Sequence, residues 1–133
     1  MTEAPPNPKS KTVHRVAVVL LFLMIAQPTF DNVRALMTGV LVMGDVSAEV
    51  TSSNMVLHVI AMVAGWIGFW WFTKRQKRGA YLTIAAHLLG FSAVVTQTPQ
   101  MLDAMPPAAI AIFFVLMFAT ALGPIRLFKE DYS

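Results

Sequence analysis

The sequence contains no cysteine. Disulfide frameworks, thiolate metal sites, iron–sulfur ligation and thiol nucleophiles are therefore excluded, and the redox compartment is left undefined. Charge is scarce too: 13% of the 133 residues are Asp, Glu, Lys or Arg, against roughly a quarter in soluble domains. Also missing are a Gly-x-Ser-x-Gly elbow, a phosphate-cradling Gly loop, a His-Glu-x-x-His helix and a paired-carboxylate motif. No catalytic residue and no metal site is assigned on this ground, and an enzyme is the less favoured expectation.

What is present is apolar side chain, 56% of the chain. A soluble domain this short has one core and cannot hide that much apolar surface from water, whereas lipid can solvate it. The net charge of +3 and the pI near 9.6 do not point to nucleic acid. The basic residues stand in short runs beside apolar segments, not interleaved with exposed aromatics, so they read as topology signals.

Four apolar runs predict transmembrane helices at about 13–34, 52–73, 79–97 and 107–124. They make one domain over 13–128, between a polar tail at 1–12 and a short tail at 129–133. The first run follows Lys9, Lys11 and Arg15 in the manner of a signal peptide, but no small-x-small cleavage pattern precedes Gln27-Pro28, so a retained helix is expected. The second is long enough for a ~30 Å hydrocarbon core at ~1.5 Å per residue, and His58 is its only ionisable residue. Pro107 suits a first helical turn, and Gly123-Pro124 a helix end or late kink. The segment 35–43 is too short to span; it either extends the first helix or, as Pro28, Gly39 and Gly44 favour, bends into the interface.

Nine of the ten Lys and Arg residues fall on one side of such a bundle: Lys9, Lys11, Arg15, Lys74, Arg75, Lys77, Arg78, Arg126 and Lys129. Arg34 alone lies opposite, with Asp31, Asp45, Glu49 and Asp103. Cytoplasmic loops retain positive charge, so the predicted fold is an all-α integral membrane protein. Its four helices form an up-down bundle with both termini cytoplasmic, in a cell inner membrane of bacterial type. Trp70 and Trp71, just before the basic loop, are expected to anchor that interface.

Lipid supplies no hydrophobic drive between helices, so small residues that admit close backbone approach mark the packing faces. On the second helix His58, Ala61, Gly65, Gly68 and Phe72 share a side, and on the third Ala86, Gly90, Ala93 and Gln97 share an arc. These stripes predict an antiparallel pair. The fourth helix is bulky all round, from Ile112 to Phe118, and suits lipid or a partner. Nine methionines, with no Met-x-Met array, read as adaptable packing. A faint echo between 26–31 and 96–103 admits a duplicated hairpin, although polar residues and proline ending two helices explain it as well.

Ionisable groups at membrane depth are costly and are functional candidates by default. Asp31 and Arg34, three apart on one face, are expected to form a structural ion pair. Pro28 would free the Met24 carbonyl, making a small polar cavity with Gln27 and Asp31. His58 and His87 are candidate ligands for haem, a pigment or a quinone. Their depths differ by ~10 Å at ~1.5 Å per residue, which argues against one shared haem. The plainer expectation is that each bonds a neighbouring hydroxyl or carbonyl, Ser92 or Thr96 for His58 and Thr83 for His87, with His14 interfacial.

The functional expectation is an interaction or accessory subunit embedded in lipid, with partners that are other membrane subunits or copies of itself. One alternative is a carrier or channel for a small solute or ion through Gln27, Asp31, Gln97 and Asp103. The other is a binder of haem, pigment or quinone through His58 or His87, so the cofactor itself is left undetermined.

Overall fold

The computed structural model describes residues 7–133. Residues 1–6 of the expected tail lie outside the described residues. Four long apolar helices are present, α1 (Pro8–Thr38), α2 (Ser52–Thr73), α3 (Lys77–Gln97) and α4 (Pro107–Leu127). Each packs on its chain neighbours and α4 closes the ring against α1, so this is a four-helix transmembrane bundle of up-down topology. One end carries the basic loop between α2 and α3, and is called the basic end here.

α1 is longer than its apolar run. Asn7 caps it, its side chain accepting from the Lys9 amide at 2.9 Å, and Pro8 occupies the first turn. Residues 8–12, expected as tail, are therefore helical. Thirty-one residues at ~1.5 Å exceed the ~30 Å hydrocarbon core, so α1 projects beyond it. Its end is set by Gly39, left-handed at φ 71°, whose N–H donates to Ala35 O at 2.8 Å. α3 begins two residues before the expected 79, and α4 carries Pro124 inside it and continues to Leu127.

The segment 35–43 follows neither a wholly helical nor a flat interfacial course. After α1 ends, β1 (Val40–Met43) pairs antiparallel with β2 (Val46–Glu49). Gly44 at φ 59° followed by Asp45 at negative φ is the pattern of a two-residue type II′ hairpin turn. This hairpin marks the other end of the bundle, the hairpin end. Beneath it Ala35, Leu41, Ala48, Met55, Val94 and Met101 form one core, to which the 3₁₀ turn Pro99–Ala104 contributes Met101. The second core, at the basic half, joins all four helices through residues such as Leu21, Phe72, Ile84 and Met117. α4 thus enters only one of the two cores.

At the basic end a polar clasp fastens the segment after α4 to the α2–α3 loop. Arg75 has φ 57°, a left-handed backbone that turns the chain sharply after α2. Its backbone carbonyl accepts from Ser133 N at 3.1 Å, while Lys77 N donates to Ser133 O at 2.7 Å. Its guanidinium donates to Ser10 Oγ at 2.9 Å, lies 3.8 Å from Asp131 and covers the Tyr132 ring at 5.4 Å. The Tyr132 hydroxyl bonds His14 Nδ1 at 2.7 Å, and His14 Nε2 donates to the Thr73 carbonyl at 3.3 Å. A carbonyl only accepts, so Nε2 bears the proton and Nδ1 accepts from the phenol.

Burial pushes the Tyr132 phenol up to about 12, the Arg75 charge pulling it down and Asp131 pushing it further up. The fold therefore favours the neutral phenol. Its contribution is complete below the unfolded value of 10.0 and is lost as pH rises toward about 12. Tyr132→Phe is expected to cost about 1 kcal/mol near neutral pH. Thermal melts in detergent should show the gap between the two proteins narrowing above pH 10; a gap independent of pH would place its source elsewhere.

Candidate functional site

The close contact between α2 and α3 sets the register of the site. The Cβ position of Gly68 lies 2.7 Å from Thr83 N, that of Gly65 lies 3.7 Å from Ala86 Cβ and that of Gly90 lies 3.5 Å from Ala61 Cβ. α2 and α3 therefore run antiparallel with positions 61 and 90, 65 and 86, and 68 and 83 abreast. His58, Ala61, Gly65, Gly68 and Phe72 form the buried side of α2, and Ala86 and Ala93 are buried on α3.

Toward the hairpin end α4 buries no residue before Met117, and the space between it and the other helices is a cleft of about 370 Å³. Its back wall is the α2–α3 seam at Ala61, Gly65, Ala86 and Gly90, and its outer wall is α4 from Ala109 to Phe114. Gln27 and Pro28 on α1 and Ala109 on α4 are exposed at its rim, so the cleft opens sideways between those helices. The lining is mainly apolar, with Gln27, Thr29, Asp31, Asn32, His58 and His87 as its polar members. An apolar cavity of a few hundred Å³ with a few convergent polar groups is the usual form of a small-molecule site.

The two histidines are held differently. His58 is 4% exposed, its Nε2 has no hydrogen-bond partner and neither ring nitrogen makes a hydrogen bond among the described residues. The expected bonds from Ser92 or Thr96 do not form, because Ser92 donates to Leu89 O at 2.8 Å and Thr96 to Ser92 O at 2.7 Å, each within α3. His87 Nδ1 lies 2.8 Å from Thr83 O one turn back, and its ring leans on Phe113 at 5.7 Å. By the register, position 58 is level with position 93, six residues from His87 or ~9 Å in depth. One haem iron cannot take both rings, yet both line the same cleft.

Pro28 does not break α1. Lacking an N–H, it leaves Met24 O without its usual helical partner, and Thr29 braces the next turn. Thr29 Oγ1 donates to Ile25 O at 2.7 Å and accepts from Trp66 Nε1 at 2.9 Å, tying this wall of the cleft to α2. Asp31 and Arg34 do not approach within 4.0 Å, so the expected ion pair is not closed. Gln97 and Asp103 are outside the cleft. α3 ends at Gln97 and the following 3₁₀ turn carries the chain under the hairpin, leaving Asp103 exposed. The two halves of the sequence echo also differ in conformation, one a continuous helix through Pro28 and the other a helix end followed by that turn.

Trp70 and Trp71 lie beside the basic loop, with Lys74 Nζ 4.4 Å over the first ring and Arg78 Cζ 4.2 Å over the second. No cluster of three His, Cys, Asp or Glu side chains able to hold a metal occurs among the described residues. Composition alone did not reveal the clasp residues Tyr132, Arg75 and Ser10, nor Thr29 and Trp66, which brace the cleft. No protein-family profile, curated protein or solved structure matches the chain.

Proposed function

We propose that this protein binds a lipophilic small molecule within the membrane, in the lateral cleft between α1 and α4. The observation that carries the reading is the buried, unpartnered His58 lining a mainly apolar cleft. An unsatisfied polar atom at that depth is costly, and a ligand supplying its partner offsets the cost. A molecule already dissolved in the bilayer reaches such a cleft without crossing water. The asymmetry of Lys and Arg supports a cytoplasmic basic end, and with it both termini inside and the cleft toward the outer leaflet.

Extraction of the purified protein and mass spectrometry of the extract should give a lipophile in stoichiometric amount. Ala109→Trp, at the exposed rim, is expected to lower its occupancy at least tenfold while the melting temperature stays within a few degrees. Equal occupancy in both proteins would sink the cleft reading. The carrier reading loses its basis, since only Gln27 and Asp31 of its four polar residues line the cleft. An accessory role within a larger assembly is compatible with ligand binding, and the exposed bulk of Ile112, Val115 and Leu116 on α4 supports it.

A further inference from the structure

We infer, on the basis of that cleft reading, that the ligand is a lipophilic phenol of the quinol class, held in its reduced form by a hydroxyl that donates to His87. The argument begins at Thr83. Its carbonyl only accepts, so the proton of the uncharged His87 ring sits on Nδ1 and the lone pair on Nε2. His87 is thereby set to receive a hydrogen bond from its ligand. A hydroxyl satisfies that demand, and a quinone carbonyl, itself an acceptor, does not.

The second contact comes from His58, whose ring has no hydrogen-bond partner among the described residues and takes either role. The His58 backbone lies ~9 Å from the level of His87, and the His87 ring leans back toward Thr83, away from it. The contact at His58 is therefore made by another part of the ligand, beyond the ring bound at His87. The walls suit a flat ring, since Phe91, Phe113 and Phe114 meet edge to face at 5.3 and 5.6 Å along this stretch.

The test uses the full-length protein in phosphatidylcholine nanodiscs, with a decyl-substituted benzoquinol, the matching benzoquinone and the quinol dimethyl ether as probes. Equilibrium binding should favour the quinol at least tenfold over both others, the cost of leaving the acceptor at His87 unmet. His87→Leu should abolish that preference. The quinone nearly matches the quinol in size and the ether keeps its aromatic ring, and neither has a donor, so the comparison stands even if a histidine variant folds poorly. Equal binding of quinol and ether, or tighter binding of the quinone, overturns the inference. If all three probes bind equally and Ala109→Trp expels them, the cleft reading survives and the quinol assignment alone fails. If none binds above the Ala109→Trp background, the quinol assignment fails as well, and the stoichiometric lipophile sought in the purified protein then decides the cleft reading independently.

Discussion

Gly79→Ala is expected to lower the melting temperature in detergent sharply, whereas Gly65→Ala, on the same seam, should leave it unchanged or raise it. A Cβ at Gly79 would collide with Phe72 N, and would sit 2.6 Å from Gly68 O and 2.7 Å from Trp71 C. All three are backbone atoms, which no rotamer change can move aside. The start of α3 has to lift off the end of α2, and the dispersion energy lost is spread over the closest contact in the bundle. Overpacking of this kind costs ~1–3 kcal/mol or more, and alanine's better helix propensity offsets at most ~1 kcal/mol. At Gly65 the new Cβ would meet Ala86 and Ile25 side chains at 3.7 and 3.9 Å, ordinary contact distances, so the propensity gain is left unopposed. Equal melting of the two variants would show that α2 and α3 do not meet where their register places them.

That contrast marks how far the packing is legible in sequence. Small residues at helical spacing identify which side of α2 is buried, because burial follows from periodicity alone. They do not rank the contacts, because closeness depends on the crossing of two helices and on what stands opposite. Gly65 faces another small side chain, whereas Gly68 and Gly79 face backbone and each other. Gly79 reads in sequence merely as the start of a helix.

The hairpin has a similar history. Val40 to Met43 and Val46 are β-branched or apolar residues on either side of Gly44-Asp45, which is a two-residue hairpin signal. In so apolar a chain the same residues also read as the end of a span. The clasp gives less warning, since nothing local marks Tyr132 as the partner of His14, 118 residues away. The cleft is legible only in part: His58, His87, Gln27 and Asp31 stand out as polar residues in apolar runs. Their convergence depends on how α4 stands against the α2–α3 seam, and the bulky run from Ile112 to Phe118 does not mark which side of α4 faces it.

Phe72→Ala should be among the most destabilising truncations in the protein, even though Trp70, two residues earlier, is larger. Phe72 is 0% exposed and packs at 5.3 Å from the His14 ring and 6.2 Å from the Tyr132 ring. It fills the basic-half core where α1, α2, α3 and α4 meet and roofs the polar clasp below it. Transfer of the side chain from lipid contributes little here, so its value lies in dispersion contacts and in the void that its loss leaves. Phe→Ala in well-packed cores costs ~3–5 kcal/mol, and the void also opens the His14–Tyr132 hydrogen bond to competing partners. Trp70 is 59% exposed and its identifiable contact is Lys74, a cation–π pair of ~0.5–1 kcal/mol at an exposed site. Denaturation in a fixed detergent should therefore rank Phe72→Ala far above Trp70→Ala. The hairpin-end core shares no residue with the basic-half core. Amide exchange in Val40–Met43 should accordingly change less than exchange in the basic half of α4. A larger loss from Trp70→Ala would mean that the side of α2 assigned to lipid is the one that holds the bundle together.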